Sequence, residues 1–312
     1  MLSYTPTILL KEQPLISIVI PAYNRLPLLK QAVASVIAQT YTNWELLVID
    51  DGSTDGTKKA VETPGDLRIR IFSVPHCGNI GALRNAGVSV ATGEWVAFLD
   101  SDDMWVPGKL ELQLQTLQQT GRSWSYGRFE LMNESGKFIP ARSGKYIAHS
   151  GWITKELLTN RASVNIGSLM LQRKLFEELD GFNTKTELIL REDYEFALRL
   201  SLKAEASAVD ALLVKVREHP GRSTNVIIDG YKRAAFVYEH FAKNCPDREL
   251  KKIARYRQAH HETEMAVKHM QQKKYGQAFI QFSRACWRGD KLRHLLSGFR
   301  RSIFVKKEIV LN

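Results

Sequence analysis

Four short apolar runs punctuate the first hundred residues: Leu15–Ile20, Glu45–Ile49, Ile69–Val74 and Trp95–Leu99. Each is rich in β-branched residues and bounded by polar or turn residues, the pattern of a buried strand. Helical patterns lie between them. In Leu28–Gln39, the side chains of Leu29, Ala32, Val33, Val36 and Ile37 share one face. A second helix is expected over Asp55–Glu62, with Ser53 or Thr54 as its N-cap, and a third over Gly81–Ala91. This alternation predicts a mostly parallel sheet with right-handed crossovers. After Pro107 a helix reads through Leu110, Leu112, Leu114 and Leu117. Ser123 to Val226 is less regular, with a strand expected over Val164–Leu171 and a helix over Glu192–Leu202. Trp44, Trp95 and Trp124 read as core residues. From Asp229 onward strand signals fade. Helices are expected at Asp229–Lys243, Asp247–Gln272, Tyr275–Arg288 and Lys291–Phe304. Ala278, Phe282 and Ala285 resemble the second helix of a helical-repeat hairpin, but one unit is too little to define a repeat array. The chain therefore divides into an α/β domain over residues 1–228 and an all-α appendage over 229–312.

Composition narrows the class. With 44% hydrophobic and 25% charged residues among 312, the chain reads as an ordinary globular protein with a sizeable core. No apolar run approaches the roughly 18 residues that span a bilayer. Met1 to Gln13 does not read as a signal peptide. Cys77, Cys245 and Cys286 are scattered and odd in number, which fits a reducing cytoplasm.

The net charge of +11 invites anionic partners. Much of the excess lies after Val226, including Arg293, Arg300, Arg301, Lys306 and Lys307. Within Leu292–Phe304, Leu295, Leu296, Phe299 and Ile303 alternate with basic residues. That segment either lies peripherally on an anionic inner membrane face or packs on the preceding helices. The basic residues carry no nucleic-acid recognition motif, so no nucleic-acid partner is expected.

The candidate chemistry starts at Asp100-Ser101-Asp102-Asp103, directly after an apolar run. Carboxylates this close repel one another and lose hydration, so a compensating charge is expected. Hard oxygen donors suit Mg²⁺ or Mn²⁺. An acidic turn that caps the next helix is the alternative. In parallel sheets ligands bind outside the carboxyl ends of the strands. Pro21-Ala22-Tyr23-Asn24, Asp50-Asp51-Gly52-Ser53 and the acidic run all end strands there.

Together with Arg191-Glu192-Asp193-Tyr194-Glu195, these stretches resemble, in order and spacing, the family 2 glycosyltransferases over residues 15 to 225. The resemblance implies the GT-A fold, a Rossmann-like, mostly parallel central sheet with flanking helices. It also implies an inverting, metal-dependent transfer from a nucleotide-diphosphate sugar, in particular a UDP-sugar, to a saccharide or lipid-linked acceptor in cell-envelope or exopolysaccharide synthesis. Asp51 would accept a hydrogen bond from the base, in a pocket lined by Pro21, Ala22, Tyr23 and Asn24. Arg84 would fork onto the base or a phosphate, with a plain surface arginine as the alternative. Asp102 would ligate Mn²⁺ or Mg²⁺. Asp100 would contact the ribose or reach the metal through water, beside Ser101, and Asp103 would be structural. Asp193 would be the general base, since inversion needs one carboxylate to take the acceptor's proton. Glu192 would hold sugar or acceptor hydroxyls. His219 could complete the metal shell, and Arg222 and Ser223 could cover the phosphates. Gly167 would allow close approach of the donor sugar, and Trp152 could stack on the acceptor.

Two other classes compete. A non-catalytic sugar-nucleotide or polysaccharide binding protein would keep the fold with a degenerate site. A glycoside hydrolase would need two carboxylates flanking one bond rather than acids gathered around a cation.

Overall fold

Residues 13–62, 65–140, 148–218 and 227–288 are described by the structure, a computed structural model. The expectations for His219, Arg222, Ser223 and the basic segment Leu292–Phe304 fall outside them.

The described residues group into two compact units, one formed by 13–153, 161–184 and 199–218, the other by 154–160, 185–198 and 227–288. The first unit holds an eight-stranded sheet. Its strands in chain order are β1 (Ile16–Ala22), β2 (Trp44–Asp50), β3 (Ile69–Ser73), β4 (Trp95–Phe98), β5 (Met104–Trp105), β6 (Trp124–Met132), β7 (Met170–Gln172) and β8 (Ser207–Arg217). They lie side by side in the order β3-β2-β1-β4-β7-β6-β8-β5. The four strands from β3 to β4 are parallel, as the alternation predicts. β7 runs antiparallel to β4 and β6, and β8 pairs parallel with β6 and antiparallel with β5. The result is a mixed, mostly parallel sheet.

Helices α1 (Leu26–Ile37), α2 (Thr57–Glu62), α3 (Ile80–Ser89), α4 (Lys109–Thr120) and α6 (Arg173–Glu178) flank it. β1 and β2 are buried along their whole length, which explains why they read as continuous apolar runs. The expected Trp44, Trp95 and Trp124 are core residues. α3 packs close to the sheet because Gly87 has no side chain: a Cβ there would sit 2.3 Å from Cγ1 of Val19.

Two local expectations are corrected. The α2 start is held by Asp55, whose carboxylate accepts from the Thr57 amide and hydroxyl, rather than by Ser53 or Thr54. Val164–Leu171 is not one strand. Asn165 accepts from the Gly167 amide, winding Ile166–Ser168 into a 3₁₀ turn, and β7 begins only at Met170.

The second unit holds α5 (Thr154–Leu158), the first half of α7 (Glu192–Lys203), α8 (Ile227–Asn244), α9 (Arg248–Gln271) and α10 (Tyr275–Arg288). Asp247 caps α9 by accepting from the Leu250 amide. Ala259 and Ala285, both fully buried, let α9 and α10 approach closely. α8 to α10 form an all-helical appendage in which the described residues carry no strand. No helix is long and apolar enough to cross a membrane among them.

Candidate active site

The carboxyl ends of β1, β2 and β4 are stitched into one edge. After β1, Asn24 takes a left-handed backbone conformation, φ 47°, which asparagine tolerates. Its side chain accepts from the Thr54 amide at 2.8 Å, and its own amide donates to Ser53 Oγ at 2.9 Å. Asp55 accepts from the Leu26 amide as well as from Thr57, so one carboxylate ties the starts of α1 and α2 together. Asp50 is buried and structural: its carboxylate accepts from the Ser53 amide and the Ser73 hydroxyl.

Asp51 is only 2% exposed. Its carboxylate oxygens accept from the amides of Cys77 at 2.8 Å and Gly78 at 3.0 Å. His76 Nδ1 lies 2.8 Å from the second oxygen. The His76 ring stacks on Tyr23, with centroids 4.1 Å apart and planes 17° from parallel. A base cannot slide between two rings this close, since each aromatic layer needs about 3.5 Å on either side. The outer faces of this exposed pair are the accessible platform. Burial and the neighbouring Asp51 push the Cys77 thiol up, so it is a neutral thiol rather than a nucleophile.

The acidic turn after β4 has its own internal compensation. Arg84 on α3 is buried, unlike a surface arginine, and its Nη2 donates to Asp100 Oδ1 at 2.7 Å beneath the Phe182 ring. Arg25 pairs with Asp102 Oδ2. Asp103 is buried, and its carboxylate accepts from the Arg217 amide at 2.9 Å. Two guanidinium groups and a backbone amide thus face the crowded carboxylates and offset their mutual repulsion. Oxygens of Asp100, Asp102 and Asp103 nonetheless lie within 4.8 Å of one another. Each carboxylate carries two oxygens, and this all-oxygen donor set fits a hard divalent cation. Asp103 thus belongs to the cluster as well as to the turn. Ser101 is buried within the same turn.

Glu192 and Asp193 open α7 in the second unit. Asp193 Oδ1 accepts from the Tyr194 amide at 2.7 Å, and Glu192 is buried. A helix N-terminus favours carboxylates at these positions. Tyr194 anchors the helix start: its hydroxyl donates to the Leu157 carbonyl at 3.0 Å and lies 3.2 Å from the Tyr238 hydroxyl. Burial, then Tyr238, pushes the Tyr194 phenol far up, so it stays neutral.

Two sequence-derived candidates have other local surroundings. The space above Gly167 is occupied by Asn165 Oδ1 at 3.0 Å and Val214 Cγ1 at 3.2 Å from a Cβ position, and its carbonyl accepts from Trp105 Nε1. The missing side chain is explained by this packing. Trp152 is 60% exposed, beside an isolated bridge between Gly151 and Ala206.

Sequence reasoning missed His76, Arg25, Phe182 and Arg217. Arg25 follows the β1 motif directly, and that adjacency was the only signal. The others come from distant stretches without a local pattern.

Residues 17–180 match the family model described as glycosyl transferase family 2. The UDP-Glc:alpha-D-GlcNAc-diphosphoundecaprenol beta-1,3-glucosyltransferase WfgD of Escherichia coli is 33% identical over 199 residues, covering 63% of this chain and 73% of that protein. The putative teichuronic acid biosynthesis glycosyltransferase TuaG of Bacillus subtilis is 38% identical over 135 residues, 41% of this chain and 54% of its own length. The matched part is only 35% of an uncharacterized glycosyltransferase from Rickettsia felis. Among solved structures, S. aureus TarS 1–349 in complex with UDP-GlcNAc superposes with a TM-score of 0.61 at 19% identity, covering 82% of this chain and 72% of that one. The mannosyltransferase PcManGT of Pyrobaculum calidifontis, in complex with GDP-Man and Mn²⁺, gives 0.57 at 19% identity, covering 95% and 81%. These likenesses fit the strand order and the helical appendage described above. The chain belongs to glycosyl transferase family 2 and is a glycosyltransferase with a GT-A fold.

Proposed function

We propose that this chain transfers a sugar from a UDP-sugar to an acceptor hydroxyl, with inversion and with Mn²⁺ or Mg²⁺, in the synthesis of a cell-envelope glycan. The observation that carries the reading is the stitched edge. Asp51, the Tyr23–His76 pair and the Asp100–Asp103 turn stand at the ends of neighbouring parallel strands, cross-linked by Asn24–Thr54, Arg25–Asp102 and Arg84–Asp100. The matched E. coli relative is named for a UDP-Glc donor and a diphosphoundecaprenol-linked acceptor, and a TarS structure holds UDP-GlcNAc. Both names support a uridine donor here, and the E. coli relative's name supports a lipid-linked acceptor.

Each residue then has a task. Asp51, fixed by the Cys77 and Gly78 amides, presents a carboxylate edge to the base N–H. Asp102, Asp100 and Asp103 would hold the cation, which supplies positive charge against the diphosphate that departs. Arg25 and Arg84 hold the carboxylates in orientation before ligand arrives. Asp193 accepts the acceptor's proton as the new glycosidic bond forms. Glu192 beside it holds hydroxyls.

A thermal-shift series with UDP-, GDP- and dTDP-sugars, with and without Mn²⁺, tests the donor. A ligand that binds only the folded state at ~100 times its Kd adds about 2.7 kcal/mol. UDP-sugars with Mn²⁺ should raise the midpoint most. Equal shifts from all three nucleotides would remove the role given to Asp51. No shift from any would remove the donor reading.

A further inference from the structure

We infer that Arg217 is a positioning residue that sets the geometry of the acidic turn. Its consequence for ligand binding rests on the donor-and-cation reading above. Arg217 ends β8 and is 2% exposed, among the largest fully buried side chains of the chain. Burying a guanidinium is costly unless its donors are met. Here they fan out to several elements. Nε donates to the Asp102 carbonyl at 3.0 Å. Nη1 donates to the Glu134 carbonyl at 2.6 Å, in the turn after β6. Nη2 donates to Gln31 Oε1 on α1 at 2.8 Å and touches Met104 Sδ. The Arg217 amide holds the Asp103 carboxylate.

The register explains why this residue reaches the turn. β5 leaves the acidic turn and pairs at once with β8, with Met104 opposite Lys215. Arg217 therefore lies just past the point where the turn rejoins the sheet. Its fork grips the backbone at Asp102, whose side chain Arg25 holds. The turn is clamped from both sides, by Arg25 on the carboxylate and Arg217 on the main chain. A planar fork can serve the Asp102, Glu134 and Gln31 acceptors together; an ammonium cannot match that spread. Cation ligands must be held within a few tenths of an ångström, so loss of the clamp should be read out as weaker metal–nucleotide binding.

The test compares Arg217→Lys, Gln31→Met and, as a control, Glu45→Gln, which weakens a buried carboxylate network at the amino end of β2, the strand end opposite the turn. Two readouts are taken: hydrogen exchange of the peptide spanning Asp100–Met104, and the Kd for UDP with Mn²⁺. Arg217→Lys should speed exchange of that peptide ~10-fold and weaken UDP–Mn²⁺ about 10-fold. Gln31→Met should move both in the same direction by less, and it stands in if the lysine variant does not fold. Glu45→Gln should lower the melting midpoint and leave both readouts at wild-type values. Wild-type exchange and affinity in both Arg217→Lys and Gln31→Met would overturn the inference, as would equal changes in Glu45→Gln. If the wild-type chain binds no UDP–Mn²⁺, the donor reading fails, and the exchange readout alone still decides the role of Arg217.

Discussion

Replacing Asp51 by asparagine keeps the shape of the side chain and removes one acceptor. In the native site one oxygen accepts from the Cys77 amide at 2.8 Å and the other from the Gly78 amide at 3.0 Å. An asparagine can satisfy only one of these. Its Nδ2 must then face the other amide, donor against donor. Leaving a buried N–H unmet costs about 1–3 kcal/mol, and the loss of a charged acceptor places the value toward the upper end. His76 softens this, because its Nδ1 can accept from Nδ2 in the appropriate tautomer. About 2 kcal/mol remains, which moves the His76–Gly78 loop and with it the stacked platform on Tyr23. At 1.4 kcal/mol per decade this is roughly a 30-fold rise in the Kd for UDP. Isothermal titration of UDP and of UDP with Mn²⁺ is the assay. Both should weaken by the same factor, because the cation ligands lie on another strand end. A Kd within about twofold of wild type would refute the role of Asp51. A loss seen only in the presence of Mn²⁺ would place the defect at the metal instead.

Three further outcomes follow from the same structure. Asp193→Asn should lower transfer by a factor on the order of 10²–10⁴, as loss of a general base does, while UDP–Mn²⁺ affinity stays unchanged; normal turnover would displace Asp193 from that role. Glu45 is buried and desolvated, yet bonds from Ser17, Thr92 and Arg70 hold its carboxyl below the ordinary 4.5. Its stabilisation is present above pH 4.5 and lost as pH falls through the lowered value, so Glu45→Gln should cost about 2 kcal/mol at neutral pH and flatten the acid limb of the melting curve; equal acid limbs would contradict this. Burial pushes the Lys109 amine well below 10.5. The unfolded chain then binds the extra proton, so stability should climb with pH up to about 10.5, and Lys109→Met should remove that slope in denaturant titrations run across the alkaline range.

The parallel half of the fold was legible in the sequence because its strands are buried on both faces. Ile16–Ala22 and Trp44–Asp50 have no solvent face, so every position is apolar or paired, and the run announces itself. β6 and β8 did not. Exposed Arg128 and Asp210 interrupt them, and the pairing slips twice around Arg128, which destroys the alternation that betrays a half-buried strand. The closeness of the pair depends on Gly127, where a Cβ would meet Leu213 Cδ1 at 2.3 Å, a fact about two segments far apart in the chain.

The candidate site divides the same way. The chain itself determined that aspartates would gather at strand ends, because chemistry at the edge of a parallel sheet must follow a strand directly in sequence. Asp51, Asp100 and Asp102 were visible for that reason. What compensates them was decided by the tertiary structure. The sequence reading turned to a cation to offset three adjacent carboxylates. The folded chain supplies Arg25, Arg84 and the Arg217 amide from three distant stretches, so each carboxylate meets a donor within the protein itself. Local sequence fixes which groups leave a strand together. Only the packing of distant segments fixes which charges they meet, because Coulomb attraction acts across space and is indifferent to position along the chain.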